Sequence, residues 1–289
     1  MILSVVIGIT SALVFGAADF FGGIASRRIA AIRVTAIAAV VGLAALFLAL
    51  PFIGGVWSAE AIFWGALSGV TGAIAISLLY ACLAIGPMSI LSPLTAVVSA
   101  IVPMTWGLVN GERLATVGYL ALGVALIAVV LVGFVPEKGA VRPSVKGVVM
   151  AIGSGASIGA FFILIDQTPA DSGLVPLIMN RAVNGAIMFA VVAIVAISAR
   201  RRKTRASATP GWAAGLRFAI ICGVVDATAN AGLLLSLRLG ELTITSVLTA
   251  LYPAGTIILA GIVLRERIAP VQIVGLGLAL VAGAMFALA

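Results

Sequence analysis

Long apolar runs follow one another along the whole chain, separated by short polar segments or by glycine and proline. A helix needs about 20 apolar residues to cross the hydrocarbon layer of a membrane, which is roughly 30 Å thick. The pattern therefore predicts an all-α polytopic membrane protein. Ten transmembrane helices are predicted, at residues 2–24, 33–50, 61–83, 88–109, 116–134, 147–165, 174–197, 212–237, 243–264 and 270–288.

Composition supports this interpretation. The chain is 63% hydrophobic and 9% charged, and so few polar residues could not cover the surface of a soluble domain of this length. Most of the arginines and lysines behind the net charge of +8 lie at the ends of spans. They predict contact with the lipid bilayer and no nucleic-acid partner.

The residues that usually hold metals are scarce. The chain has no histidine, which removes the commonest general base and metal ligand. Cys82 and Cys222 each lie within an apolar run, and we interpret them as small buried residues rather than as a disulfide or a metal pair. The sequence therefore predicts no metal site and no cofactor.

One segment of the chain occurs twice. Residues 86–131 match residues 240–285 without a gap, and 18 of the 46 positions are identical. The identities include a Glu-Arg pair at 112–113 and 266–267, which an apolar background does not supply by chance. A period near half the chain length indicates an internal duplication.

The copies lie on spans four and nine. These spans are five apart, an odd number, so the two copies cross the membrane in opposite directions. The chain is therefore predicted to consist of two inverted five-helix repeats, residues 1–137 and 138–289, joined by the polar linker 135–146. Inverted repeats are typical of many secondary transporters.

The charges fit this topology. Fourteen of the 17 lysines and arginines lie on one set of alternate loops or the adjoining helix ends, the exceptions being Arg113, Arg181 and Arg238. Because positive loops face the cytoplasm, the sequence predicts a multi-pass protein of the cell (inner) membrane with both termini outside the cytoplasm. The basic tract 200–205 is interpreted as an orientation signal that contacts anionic lipid.

Several of these stretches resemble one known family. Phe-Gly-Ala-Ala-Asp-Phe at 15–20 is similar to the opening helix of ten-helix, EamA-type members of the drug/metabolite transporter superfamily. So are Tyr-Pro-Ala at 252–254, Arg-Glu-Arg at 265–267 and the glycine-rich last helix. The resemblance covers the whole chain.

The resemblance implies two inverted five-helix repeats around a central cavity. It implies that helices one, three, four, six, eight and nine line this cavity and that helices five and ten brace it from outside. It also implies export of small metabolites, often amino acids, by alternating access. Many members of this type keep both termini in the cytoplasm, whereas the charges of this chain predict the reverse.

Charged side chains within predicted spans are the first candidates for function, since each costs about 2.5 kcal/mol or more at a helix centre on insertion scales. Asp19 lies late in span one, and Asp226 lies near the middle of span eight with Asn230 one turn further on. Arg181 lies in span seven. In a substrate cavity, an acid could hold an ammonium group and Arg181 a carboxylate. The alternative is internal pairing, either of Arg181 with Asp226 or Asp171 or of Asp19 with a nearby arginine.

Hydroxyl side chains form a second pattern. Span four carries Ser92, Thr95 and Ser99 at helical spacing, and span nine carries Ser246 and Thr249 at positions matching the first two. Matching polar stripes predict two facing cavity walls. The alternative is that small hydroxyl residues let helices pack closely and bond to each other.

Aromatic and glycine residues have two interpretations as well. Tyr80, Trp106 and Tyr252 could form an aromatic wall for an apolar or cationic substrate, although such residues more often pack or anchor at the interface. Gly-x-x-x-Gly motifs at 65–69 and 155–159 indicate close helix contacts.

The function predicted from these features is export, or facilitated efflux, of a small and amino-acid-like metabolite by a monomer, with protons as a candidate coupling ion through Asp19 or Asp226. The alternative is a multidrug exporter of lipophilic cations. An intramembrane enzyme is disfavoured, since histidine, a metal-ligand cluster and a Gly-x-Ser-x-Gly motif are all missing from the sequence. The predicted substrate-binding residues are Asp19, Tyr80, Ser92, Thr95, Arg181, Asn184, Asp226, Asn230, Ser246, Thr249 and Tyr252.

Overall fold

The computed structural model describes residues 2–83, 85, 88–134, 143–201, 212–265 and 267–288. The predicted linker 135–146 lies mostly outside these ranges, and Glu266 lies outside them. No strand occurs among the described residues. They form the helices α1 (Ile2–Ser26), α2 (Ala31–Ile53), α3 (Ala59–Leu83), α4 (Met88–Val109), α5 (Thr116–Gly133), α6 (Val145–Asp166), α7 (Val175–Arg201), α8 (Leu216–Leu239), α9 (Leu242–Thr249), α10 (Pro253–Val263) and α11 (Pro270–Leu288).

The ten predicted spans are confirmed within the described residues, where ten segments are long and apolar enough to cross a membrane. One prediction needs correction. The ninth span, Leu242–Val263, is two helices, α9 and α10, which are separated by residues 250–252. Pro253 has no amide hydrogen to continue the helix. The amides of Leu251, Tyr252 and Ala254 instead donate to carbonyls three residues back, as in a 3-10 turn.

The break in span nine lies against the backbone of α1. A Cβ atom at Gly16 would overlap the carbonyl oxygen of Tyr252, and one at Gly255 would overlap the carbonyl oxygen of Leu13. The Thr256 hydroxyl donates to the Gly16 carbonyl at 2.9 Å. Two glycines therefore allow α1 and the broken span to approach at backbone distance.

The helices pack in sets that correspond when the two halves are exchanged. In one set α1 packs against α8 and α10, and in the corresponding set α6 packs against α3 and α4. Likewise α2 packs against α8 and α7 packs against α3, while α2 meets α7, α4 meets α9 and α5 meets α11 across the halves. A two-fold relation between the halves would produce this correspondence. The opposite direction of the two repeats stays a prediction.

The glycine motifs form close contacts, as expected from their spacing. A Cβ atom at Gly65 or Gly69 would meet the α7 backbone at Pro176 or Asn180 at 2.6 Å. A Cβ atom at Gly155 on α6 would lie equally close to the carbonyl oxygen of Thr95 on α4. These small residues bring α3 against α7 and α6 against α4, which positions the polar side chains described next.

Two turns are tied together at one end of the bundle. The Val56 amide, after α2, donates to the Asp171 carbonyl at 3.0 Å, and the Leu174 amide donates back to the Gly54 carbonyl at 3.2 Å. Gly54 and Gly173 have φ angles of 82° and 48°, a region that glycine enters without steric cost. The α2–α3 and α6–α7 turns therefore join the two halves at this end.

Candidate functional site

A cavity of about 220 Å³ lies between the two halves. Its walls come from α1, α3, α4, α6, α7 and α8 and from the break between α9 and α10. Among the described residues, none from α2, α5, α10 or α11 lines it. Span seven contributes although the family resemblance did not imply it. The lining residues are Phe15, Asp19, Gly72, Ala75, Ile76, Leu79, Ser99, Ile158, Phe161, Phe162, Asn180, Arg181, Asn184, Asp226, Asn230, Thr249, Ala250 and Tyr252.

An ion pair occupies one side of the cavity. The Arg181 guanidinium on α7 contacts the Asp226 carboxylate on α8, and their side chains are 12% and 23% exposed. Asn230, one turn along α8, donates to the Asp226 backbone carbonyl at 2.8 Å and to its carboxylate at 3.3 Å. Internal pairing of Arg181 with Asp226, one of the two alternatives for this arginine, is therefore present. Both residues still line the cavity.

Asp19 differs from Asp226 in its surroundings. It lies on α1, one helical turn after Phe15, and its side chain is exposed, although the residue is at the centre of the bundle. Its exposed surface therefore faces the cavity. No hydrogen bond or ion pair joins its carboxylate to any residue in the described ranges. Asp19 is thus the cavity carboxylate that remains available to a ligand.

Asparagines of α7 complete the polar wall. The Asn180 amide donates to the Ser68 hydroxyl on α3 at 2.9 Å, and Ser68 in turn donates to the Gly65 carbonyl at 2.7 Å. Asn184 lies against Gly72, where an added Cβ would come within 3.1 Å of the asparagine nitrogen. The close α3–α7 contact therefore holds both asparagines at the cavity.

The predicted hydroxyl stripes are only partly at the cavity. Thr249 lines it, but Ser92, Thr95 and Ser246 do not. The Thr95 hydroxyl donates to the Leu91 carbonyl and, across to α6, to the Ala151 carbonyl at 3.2 Å. The Ser246 hydroxyl donates within α9. For Thr95 the alternative interpretation, helix packing, applies in this conformation. Neighbouring helices cover the face of span four on which Thr95 lies.

The aromatic wall has a different composition from the predicted one. Tyr252 lines the cavity as expected, whereas Trp106 is 46% exposed and lies elsewhere. The side chain of Tyr80 lies outside the described residues. Phe15, Phe161 and Phe162 provide the other rings, and sequence reasoning missed them because phenylalanine in an apolar span carries no signal of its own.

The charges of the cavity do not balance. With Asp19, Asp226 and Arg181 all ionised, one negative charge remains in excess. A low-dielectric cavity with an unpaired carboxylate attracts a proton or a cationic group. The volume is small beside the roughly 300–1,000 Å³ of pockets that hold drug-sized ligands. The arrangement can therefore bind a small molecule that carries an amino group.

In the described ranges, ten membrane spans accompany a mostly apolar cavity that carries Asp19, Arg181 and Asp226, an arrangement that fits a membrane transporter. The EamA-like transporter family matches residues 145–288, and the chain belongs to this family of the drug/metabolite transporter superfamily. A solved structure titled "Crystal structure of protein" shares the fold at 15% identity and a TM-score of 0.71, with 98% of this chain and 97% of that chain covered. Among curated proteins, none matches the chain.

Proposed function

We propose that this transporter exports a small metabolite with an amino group, with an amino acid as the leading candidate, by alternating access. Asp19 receives the ammonium group, and the Arg181–Asp226 pair opens to receive a carboxylate on Arg181. The observation that supports this most directly is the cavity carboxylate of Asp19, which has no partner within the described residues, beside an ion pair.

Alternating access in this proposal is the rocking of two inverted repeats, residues 1–137 and 138–289. The corresponding helix contacts of the two halves support it, as does the broken ninth span, because discontinuous helices line the central sites of many transporters. The charge bias of the loops supports placement in the cell (inner) membrane with both termini outside the cytoplasm. The proposed unit is a monomer.

Proton coupling follows from the same carboxylate. A proton and a substrate ammonium group both neutralise Asp19, so they compete for it, and inward proton movement can drive outward substrate movement. We propose Asp19 rather than Asp226 as the proton carrier. The Asp226 carboxylate already contacts Arg181 and Asn230, whereas that of Asp19 is available to a proton.

A second candidate is an exporter of lipophilic cations. An unpaired carboxylate among Phe15, Phe161 and Phe162 is also suited to such a ligand, because aromatic faces attract cations. The small volume and the presence of Arg181 favour the metabolite over the larger cation.

Flux through reconstituted vesicles tests the proposal. Purified protein is offered labelled amino acids, their decarboxylated amines and a lipophilic cation, with and without a pH gradient. We expect saturable amino-acid flux that follows the gradient and is lost in Asp19→Asn. Glu60→Gln is the matched control, since it removes an exposed carboxylate far from the cavity. Wild-type flux in Asp19→Asn contradicts the proposal, and flux of the lipophilic cation alone supports the second candidate.

The ion pair needs a separate test. Asp226→Asn leaves Arg181 unpaired and mostly buried, a change that typically costs about 3–5 kcal/mol of stability. We expect the double variant Arg181→Gln/Asp226→Asn to regain most of that loss while amino-acid flux stays low. Thermal unfolding in detergent measures the first effect and vesicle flux the second. Equal stabilities of the single and double variants contradict the pairing.

A further inference from the structure

The N-terminus of α9 is capped by a residue from the other half of the chain. Glu112, in the turn between α4 and α5, accepts hydrogen bonds from the amides of Leu242 and Thr243 at 2.8 and 2.9 Å. The first amides of a helix have no partner within it, and a carboxylate there also interacts favourably with the helix dipole. These are charge-assisted bonds, stronger than neutral ones.

The helix has a carboxylate of its own that does not cap it. Glu241 is the N-cap residue of α9, yet its side chain makes no capping bond. Its Oε2 atom is buried and has no hydrogen-bond partner among the described residues. The α9 amides therefore have two carboxylates nearby, and the one they use comes from the opposite half.

The surrounding contacts hold α4, the start of α9 and the end of α8 in place at this end of the bundle. The Thr243 hydroxyl donates to the Met104 carbonyl of α4 at 3.3 Å. At Gly107 a Cβ atom would overlap both the Glu112 carboxylate and the Thr243 hydroxyl. Nearby, Arg238 at the end of α8 donates to the carbonyls of Thr168 and Pro169.

We propose that Glu112 is a latch that closes one mouth of the cavity by holding the start of α9 against the end of α4, and that it releases α9 when this mouth opens. The proposal rests on alternating access as proposed above, but not on the identity of the substrate. On release, the Glu241 carboxylate, which directly precedes these amides in the sequence and makes no capping bond in this conformation, replaces Glu112 in this proposal.

The internal repeat carries the same residue types at the equivalent positions, which the predicted inverted topology assigns to the opposite mouth. Position 266 repeats Glu112, position 261 repeats Gly107 and position 89 carries serine where Thr243 carries a hydroxyl. Each half therefore has the residues for a latch on the other, as a transporter with two alternately closed mouths requires. Glu266 and the side chain of Ser89 lie outside the described residues, so the proposal is made for Glu112.

Thiol labelling tests the latch without any transport measurement. Cys82 and Cys222 are replaced by alanine, and Ile158→Cys, at a half-buried position of the cavity wall, supplies the reporter. A reagent that cannot cross the bilayer is added to either face of vesicles. Asn110→Cys, exposed beside Glu112, identifies the face that carries this mouth.

We expect Glu112→Ala to speed labelling of the cavity cysteine from that face by about tenfold or more, the effect of losing hydrogen bonds to a charged group. Glu112→Gln keeps an acceptor without its charge and should give a smaller increase. Gly107→Ala displaces the latch while keeping Glu112, so labelling should again be faster. The control Glu60→Gln, at the exposed start of α3, should label at the parent rate.

Unchanged labelling from that face in both Glu112→Ala and Gly107→Ala, in protein that elutes as a folded monodisperse species, overturns the latch and leaves Glu112 as a static helix cap. If labelling responds but no tested substrate moves, the latch stands and the proposed substrate falls. If flux is normal and labelling does not respond, the proposed substrate stands and the latch falls.

Discussion

Spans four and nine lie in the two segments that match at 18 of 46 positions, yet their backbones differ. α4 is one helix although Pro93 and Pro103 lie inside it, whereas span nine breaks before Pro253. Proline alone therefore does not decide where a span breaks. The repeat aligns Pro253 with Ser99 and Gly255 with Ile101. Span nine therefore lacks an amide hydrogen and a side chain at two positions where span four has both.

The glycine explains where the broken span can lie. Because Gly255 has no side chain, the backbone of α1 lies so close that a Cβ atom at this position would overlap it. This contact covers the start of α10. The bulky Ile101 at the equivalent position of α4 is 38% exposed and does not permit such an approach. The difference teaches that a stable break in a span needs a weak point in the helix and a neighbour that packs against the deformed backbone.

The largest expected effect comes from filling the contact between α1 and span nine. Gly16→Val places side-chain atoms where they overlap the Tyr252 carbonyl oxygen. This oxygen belongs to the backbone, so moving it costs free energy. We expect stability to fall toward the upper end of the roughly 1–3 kcal/mol typical of overpacking, as measured by thermal unfolding in detergent. Gly23→Val on the same helix has nothing within 4 Å of its Cβ and is the control. Equal melting temperatures for the two variants contradict the contact.

The next effect tests the break itself. Pro253→Ser gives span nine the residue that span four has and restores one amide donor. A hydrogen bond contributes about 0.5–1.5 kcal/mol, so the broken form and the transport rate should decrease by roughly two- to tenfold. Pro103→Ala restores a donor in the already continuous α4 and should leave flux unchanged. Equal responses of the two variants would mean that the break in span nine has no special role.

A smaller effect is expected where the two spans behave alike. Thr256 of span nine donates to the Gly16 carbonyl of α1, and Thr95 of span four donates to the Ala151 carbonyl of α6. Hydrogen bonds between membrane helices average about 0.6 kcal/mol. Thr256→Val and Thr95→Val should therefore each lower stability by about that amount. A loss several times larger in only one of them would show that the two crossings are not equivalent.

The smallest expected effect is a pH dependence of stability that distinguishes the start of span nine from the start of span four. Burial, and then the negative charge of Glu112, raise the pKa of Glu241 above its ordinary value of 4.5. Folding therefore takes up a proton, and this contribution to stability is present at low pH and is lost as the pH rises through the raised pKa.

Span four has proline at the position equivalent to Glu241, so only span nine titrates here. Glu241→Gln should flatten the fall of the melting temperature as the pH is raised above 4.5. Glu60→Gln should leave that fall unchanged. A pH profile that is identical in wild type and Glu241→Gln would contradict the shift.

The sequence determined the class of protein by itself. Apolar runs of membrane length and the charge-poor composition leave a bundle of spanning helices as the main solution, and the repeat of residues 86–131 indicated two related halves. The rare charged residues Asp19, Arg181 and Asp226 could be singled out for the same reason, because each is costly in lipid and must have a partner or a ligand.

Only the tertiary structure decided how these residues are used. The sequence left Arg181 with two possible acids. The packing of both α7 and α8 against α2 brings Arg181 to Asp226. The sequence left Thr95 facing either the cavity or a helix, and Gly155 brought α6 close enough to cover it. The Glu112 cap joins positions 131 residues apart, and the cavity brings Phe15 together with Phe161 and Phe162. Local patterns do not encode such contacts, since they depend on which helix faces meet.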